Sequence, residues 1–190
     1  MRRRKMKSKK KLALASAIVA VAVFAAGATL AWLTDKTETI TNTFTVGNVD
    51  ISLEETTSDY KMVPGNTIAK DPKITVEAGS EACWLFVKID ESTTLDDYIS
   101  YGIADGWTAL NGVNGVYYRE VSASASDQDF VVLKTNGTNS QVLVKNTVTK
   151  DKMEALSAEG AIQPTLSFTA YAVQKDNIDT AAAAWAEASK

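Results

Sequence analysis

Residues 83–89, CWLFVKI, form the most hydrophobic run beyond residue 33. Cys83, Leu85, Val87 and Ile89 alternate with Trp84, Phe86 and Lys88. An extended chain repeats every two residues, so the two sets face opposite ways, and apolar groups on both sides require cover on both. The stretch therefore reads as the central strand of a sandwich, with Trp84 and Phe86 covered by an inserted loop or helix.

Working outward, the same period recurs. Residues 116–121 (VYYREV) follow Gly112 and Gly115 and read as a strand, and residues 130–133 and 141–145 read as two more around a loop at 136–140. In 165–174 Leu166, Phe168 and Ala170 share a face. Upstream, residues 67–70 and 73–77 read as short strands split by a turn at Asp71-Pro72. In 43–54 the apolar face shifts from Phe44 and Val46 to Val49, Ile51 and Leu53, and Gly47-Asn48 marks either a bulge or a break between two strands. Residues 151–158 suggest a short helix with Asp151 near its N-cap. Residues 177–188 suggest an amphipathic helix, with Ile178, Ala181, Ala182 and Trp185 on one stripe. Residues 95–109 have no clean period. Many short strands with few helices predict an all-β chain, an antiparallel β-sandwich.

The N-terminal part is different. Eight of the 20 Lys and Arg residues fall within the first eleven positions, and an apolar run extends from residue 12 to 33. Such a segment is an export signal or, being long enough to cross a bilayer, a retained anchor. Small residues favour cleavage after Ala31, with Thr29 and Ala31 in the recognition positions and Trp32 as the new N-terminus. Next, Thr37, Thr39, Thr41, Thr43 and Thr45 occupy every second position. The organisation expected is a signal peptide or anchor at 1–31, an extended tail at 32–41, and a sandwich domain at 42–190 ending in the 177–188 helix.

From residue 32 onward 12 basic residues face 23 acidic ones, so nucleic-acid phosphates are not an expected partner. The chain has no histidine and one cysteine. A Ser-His-Asp or Cys-His set and an HExxH zinc helix are thereby excluded, as is an intramolecular disulfide. Cys83, inside the hydrophobic strand, reads as a core thiol. The pairs Glu54-Glu55, Asp90-Glu91, Asp96-Asp97 and Asp127 with Asp129 lack the spacing of a calcium loop, so they read as solvated surface with incidental calcium binding as the alternative. No catalytic residue, resident metal or cofactor is expected. Tyr98, Tyr101, Trp107, Tyr117 and Tyr118 read as caps of the core, or alternatively as a carbohydrate- or matrix-binding platform.

GATLAWLTD at 27–35 and NTFTVGNVDISLEE at 42–55 resemble the export signal and first strand of proteins processed by the SipW-type signal peptidase, the TasA and camelysin-like proteins of Gram-positive bacteria. Val63-Pro64-Gly65 with Ile68, residues 70–72 and 74–77, then QPTLSFTAYAVQ at 163–174 and residues 181–185, resemble further blocks of that family. The resemblance implies a jelly-roll-like topology, a SipW-type signal peptidase as partner, and a secreted, cell-surface or matrix location. It also implies two activities, fibre formation in a biofilm matrix and a surface metalloendopeptidase.

The residues favour the structural reading over an enzyme. An extended tail can add to an unpaired sheet edge of another copy, with Leu33, Ile40 and Phe44 entering pockets. A linker holding the domain off the membrane, a camelysin-like peptidase and a monomeric adhesin or accessory factor are the alternatives.

Overall fold

In the computed structural model, which describes residues 47–56 and 60–190, the run at 83–89 lies within the nine-residue strand β4 (Cys83–Glu91). β4 pairs along its whole length with β13 (Leu166–Gln174) and on its other side with β8 (Val116–Val121), which pairs in turn with β7 (Thr108–Ala109). All these pairings are antiparallel. Cys83, Leu85, Val87 and Ile89 face a large core shared with Ile74, Val76, Leu133 and Val144, whereas Trp84 and Phe86 face a smaller one. The alternation read from the sequence is the alternation observed.

The opposing layer consists of β1 (Ile51–Glu54), β3 (Lys73–Val76) and β9 (Gln128–Val131), then β2 (Thr67–Ala69), β12 (Gln141–Val144) and β5 (Ile99–Ser100), then β11 (Thr138–Asn139), β10 (Leu133–Thr135) and β6 (Gly102–Ile103). These too are antiparallel, so the chain is an all-β antiparallel sandwich. The break at Asp71-Pro72 is not a reversal. β2 and β3 continue in one direction and change partner: Lys70 N–H donates to Ser140 (2.9 Å), and Pro72, which has no N–H of its own, accepts from Val132 (3.1 Å). Val49 and Ile51 pack against the large core, while Leu53 is 36% exposed. Phe44 and Val46, which carry the other half of the expected phase shift, lie outside the described residues.

The smaller core is closed by the helix here called α3 (Ala181–Ala188), following α1 (Leu95–Tyr98) and α2 (Lys150–Leu156). Trp185 stacks against Phe86 and Tyr171, at ring distances of 5.4 and 5.1 Å, and the Trp84 indole donates to the Ile178 carbonyl (2.9 Å). Two details correct the sequence reading. The helix expected over 177–188 begins only at Ala181, because Asn177 takes a positive φ of 64° and Thr180 caps the first turn by accepting from Ala183 N–H (3.2 Å). The buried stripe is Ala181, Ala184 and Trp185 rather than Ala182, which is exposed. Likewise the α2 cap is Thr149, accepting from Lys152 N–H (3.3 Å), with Asp151 inside the first turn.

Gly115 sets the entry to β8. Its φ is +72°, its carbonyl accepts from Ile89 N–H (2.8 Å), and an added Cβ would stand 2.5 Å from the Ile89 carbonyl oxygen. Left-handed backbone costs a non-glycine residue about 1–2 kcal/mol before any clash, so Gly115→Ala is expected to lose about 2 kcal/mol or more in urea unfolding. A loss below about 0.5 kcal/mol would show that this turn relaxes freely.

Candidate binding groove

β2 is an edge strand among the described residues, bonded to β12 on one side. Where its sheet meets the start of β13, a groove of about 330 Å³ opens between the two layers of the sandwich. Met62, Ile68, Leu95, Ile99, Val142 and Leu166 give it apolar walls. These side chains extend the large core to the surface, so an apolar residue placed among them would be buried as in a protein interior.

One side of the groove is polar. Lys70 points inward and is only 8% exposed. Its Nζ lies 2.7 Å from Glu55 Oε1 and sits over the rings of Tyr60 (4.7 Å) and Phe168 (5.4 Å). The Tyr60 hydroxyl donates to the same carboxylate oxygen (2.8 Å), and burial together with that hydrogen bond and negative charge raises the phenol above its usual value. An inward-facing charge on an edge strand hinders indiscriminate pairing of that edge. Removing one partner of a buried pair leaves the other charge uncompensated, so Glu55→Ala, at a site one-quarter exposed, is expected to cost about 2 kcal/mol. Thermal or urea unfolding reads this, and Glu55→Gln, which keeps an acceptor, should cost less.

A second cleft, of about 340 Å³, is lined by Glu91, Asp96, Tyr101 and Tyr117. The Tyr101 hydroxyl donates to Glu91, and burial first, then that bond, raises its phenol. Several of the paired carboxylates are tied to neighbouring donors. Asp90 pairs with Lys88 (2.9 Å), Asp96 with Lys145 (2.6 Å) and Asp97 with Lys152 (3.2 Å). Asp127 accepts from Ala78 N–H (2.8 Å), and Asp129 is held low by the Thr75 hydroxyl and Lys73. No cluster of three or more Cys, Asp or Glu suited to a metal occurs among the described residues.

The aromatic residues do not gather into a platform. Tyr98, Tyr101, Trp107 and Tyr117 pack against the large core, and Tyr118 against the smaller one. Cys83 is fully buried, and burial pushes its thiol up to about 11. Iodoacetamide at pH 8 is accordingly expected to leave it unmodified in the folded protein and to label it in denaturant. Labelling of the native chain would contradict this burial.

Thr29, Ala31, Trp32, Leu33, Ile40 and Phe44, the residues expected to act in processing and assembly, lie outside the described residues, as does the apolar run before them. Among the described residues no helix is long and apolar enough to cross a membrane. The sequence reading did not single out the Lys70–Glu55–Tyr60 group. A lysine following Ile68 and Ala69 on a short edge strand is its only trace in the sequence.

Residues 5–96 match the camelysin metallo-endopeptidase family. The matched stretch ends inside α1, so it takes in β1 to β4 and none of the later strands. The resemblance to camelysin-like proteins is thereby supported over the first half of the chain. No curated protein and no solved structure matches the chain. The family's description implies a catalytic metal, and the donors among the described residues do not fit one. Histidine is absent from the sequence, the lone thiol is sealed in β4, and Asp90, Asp96, Asp97 and Asp127 are each engaged by a lysine or a backbone donor.

Proposed function

We propose that this chain is an exported structural protein of the cell surface or matrix, and that copies join when the N-terminal tail of one enters the groove beside β2 of the next. The observation that carries this reading is the conjunction of an edge strand with an apolar groove that prolongs the core. An added strand gains backbone hydrogen bonds along β2, and each of Leu33, Ile40 or Phe44 that becomes buried adds about 1.5–3 kcal/mol. After cleavage at Ala31, fifteen residues (32–46) precede Gly47, the first described one, and a fully extended chain of that length spans about 50 Å, enough to reach a neighbour. Cleavage after Ala31 by a SipW-type signal peptidase would free that tail from the membrane, making processing the trigger of assembly. The camelysin match, which begins at residue 5 and so includes the export segment, supports a surface location on a Gram-positive cell.

Electron microscopy of the protein beginning at Trp32, beside one beginning at Phe44, tests the proposal. Fibres are expected from the first and not the second. Monomers from both would overturn it.

The family match favours a second reading, a camelysin-like surface metalloendopeptidase. Cleavage of casein by the purified chain, abolished by a chelator and restored by a divalent cation, would establish it over the structural one. The absence of histidine and the dispersed carboxylates weigh against that outcome.

A further inference from the structure

Beyond residue 4, Arg119 is the only arginine in the chain. It belongs to β8 and sits opposite Leu85 on β4, so its side chain enters the space between the two layers of the sandwich. There the guanidinium is enclosed on three sides. Its Cζ lies 4.1 Å from the centre of the Phe130 ring and 5.5 Å from that of Trp107. Gly106, at a φ of +88°, passes so close that a Cβ there would stand 3.0 Å from Nη2 and 3.3 Å from Cζ. The Trp107 indole is itself fixed by donating to the Val131 carbonyl (2.9 Å).

What the site lacks is an anion. Every described lysine from Lys70 onward has a carboxylate within 4 Å. Arg119 has none among the described residues, and its Nε is buried without a hydrogen-bond partner. The adjacent Glu120 points the other way and pairs with Lys175. Two rings offset part of the desolvation of a cation, but they supply no acceptor for the buried Nε–H. Burial alone pulls the guanidinium below its usual value, and no negative group opposes this. A half-buried guanidinium held against two rings and the Gly106 backbone is suited to one kind of ligand, a planar carboxylate accepting two parallel hydrogen bonds. β9 borders the site through Phe130 and, among the described residues, pairs with β3 alone; on its other edge the Val131 carbonyl is taken by the Trp107 indole, and the remaining backbone groups of that edge have no strand partner.

We propose that Arg119 receives a carboxylate carried by an extended peptide that adds to the edge of β9. The charge of the guanidinium selects Asp or Glu, and the strand edge selects an extended backbone. This site is distinct from the groove beside β2 and does not depend on the proposed assembly.

The side-chain Nε–Hε resonance of Arg119, the single arginine of the described residues, is a direct reporter in the full chain held in detergent micelles. The probes are a blocked Thr/Val peptide with one Glu, the same peptide with Gln, and acetate. The Glu peptide is expected to shift the Arg119 signal and the Trp107 indole signal, and to bind about tenfold or more tightly than the Gln peptide. Acetate at the same concentration is expected to leave both signals in place. Arg119→Gln, with the remaining amide spectrum unchanged, is expected to abolish the preference for Glu. Equal binding of the two peptides, equal shifts from acetate, silence from all three probes, or a Glu preference that survives Arg119→Gln would each overturn the proposal.

Discussion

Phe86→Ala is expected to remove about 4 kcal/mol of stability, the largest loss from any single truncation in this fold. Phe86 is fully buried on the central strand, with the Tyr118 ring 6.3 Å away and the Trp185 ring 5.4 Å away. β13 and β8 flank it within the sheet, and α3 closes the layer above. Walls made of paired strands cannot collapse into the space vacated, so the cavity penalty adds to the lost transfer energy. Typical domains hold about 5–15 kcal/mol in total, and a loss of this size would shift the urea midpoint far toward zero. The near-UV signal of Trp185 should weaken as well, because Phe86 is part of what seats the helix. A loss below about 1 kcal/mol would mean that the helix does not seal this core.

The second large effect concerns assembly rather than folding. Met62 lines the groove and is only partly buried. Met62→Asp places a carboxylate where an incoming apolar side chain would have to exclude water. Burying an unpaired charge there should cost roughly 3 kcal/mol or more, about a hundredfold or greater weakening of subunit association. The subunit itself keeps Ile68, Val142 and Leu166 in place, so its melting temperature should change little. Fibres persisting at unchanged protein concentration would place the contact elsewhere.

The sandwich could be read from residues 83–89 because each of its alternating positions meets a different core, which is a property of the local chain. β8 and β13 were legible for the same reason. The stretch 95–109 was not. Its strands β5, β6 and β7 have two residues each, too few to establish a period, and they are set by the neighbours they pair with. Pro72 announced a break but not its kind, since a reversal and a change of partner leave the same local signature. Ala182 and Ala184 are equally apolar, and which one faced the core depended on where Thr180 started the helix. The groove was invisible because its walls come from β2, α1, β5, β12 and β13, which are far apart in sequence. Arg119 did leave a sign, its isolation among lysines, but its lack of a carboxylate could be seen only in three dimensions.

A cross-link between copies bears on the central claim most directly. Cys83 is sealed, so cysteines introduced elsewhere can pair without interference. One preparation beginning at Trp32 would carry Ile40→Cys and a second Met62→Cys, mixed under mild oxidation and separated on a non-reducing gel. If the tail of one copy occupies the groove of another, disulfide-linked heterodimers should accumulate well above either homodimer, and reductant should dissolve them. Fibres forming without that heterodimer would contradict the account.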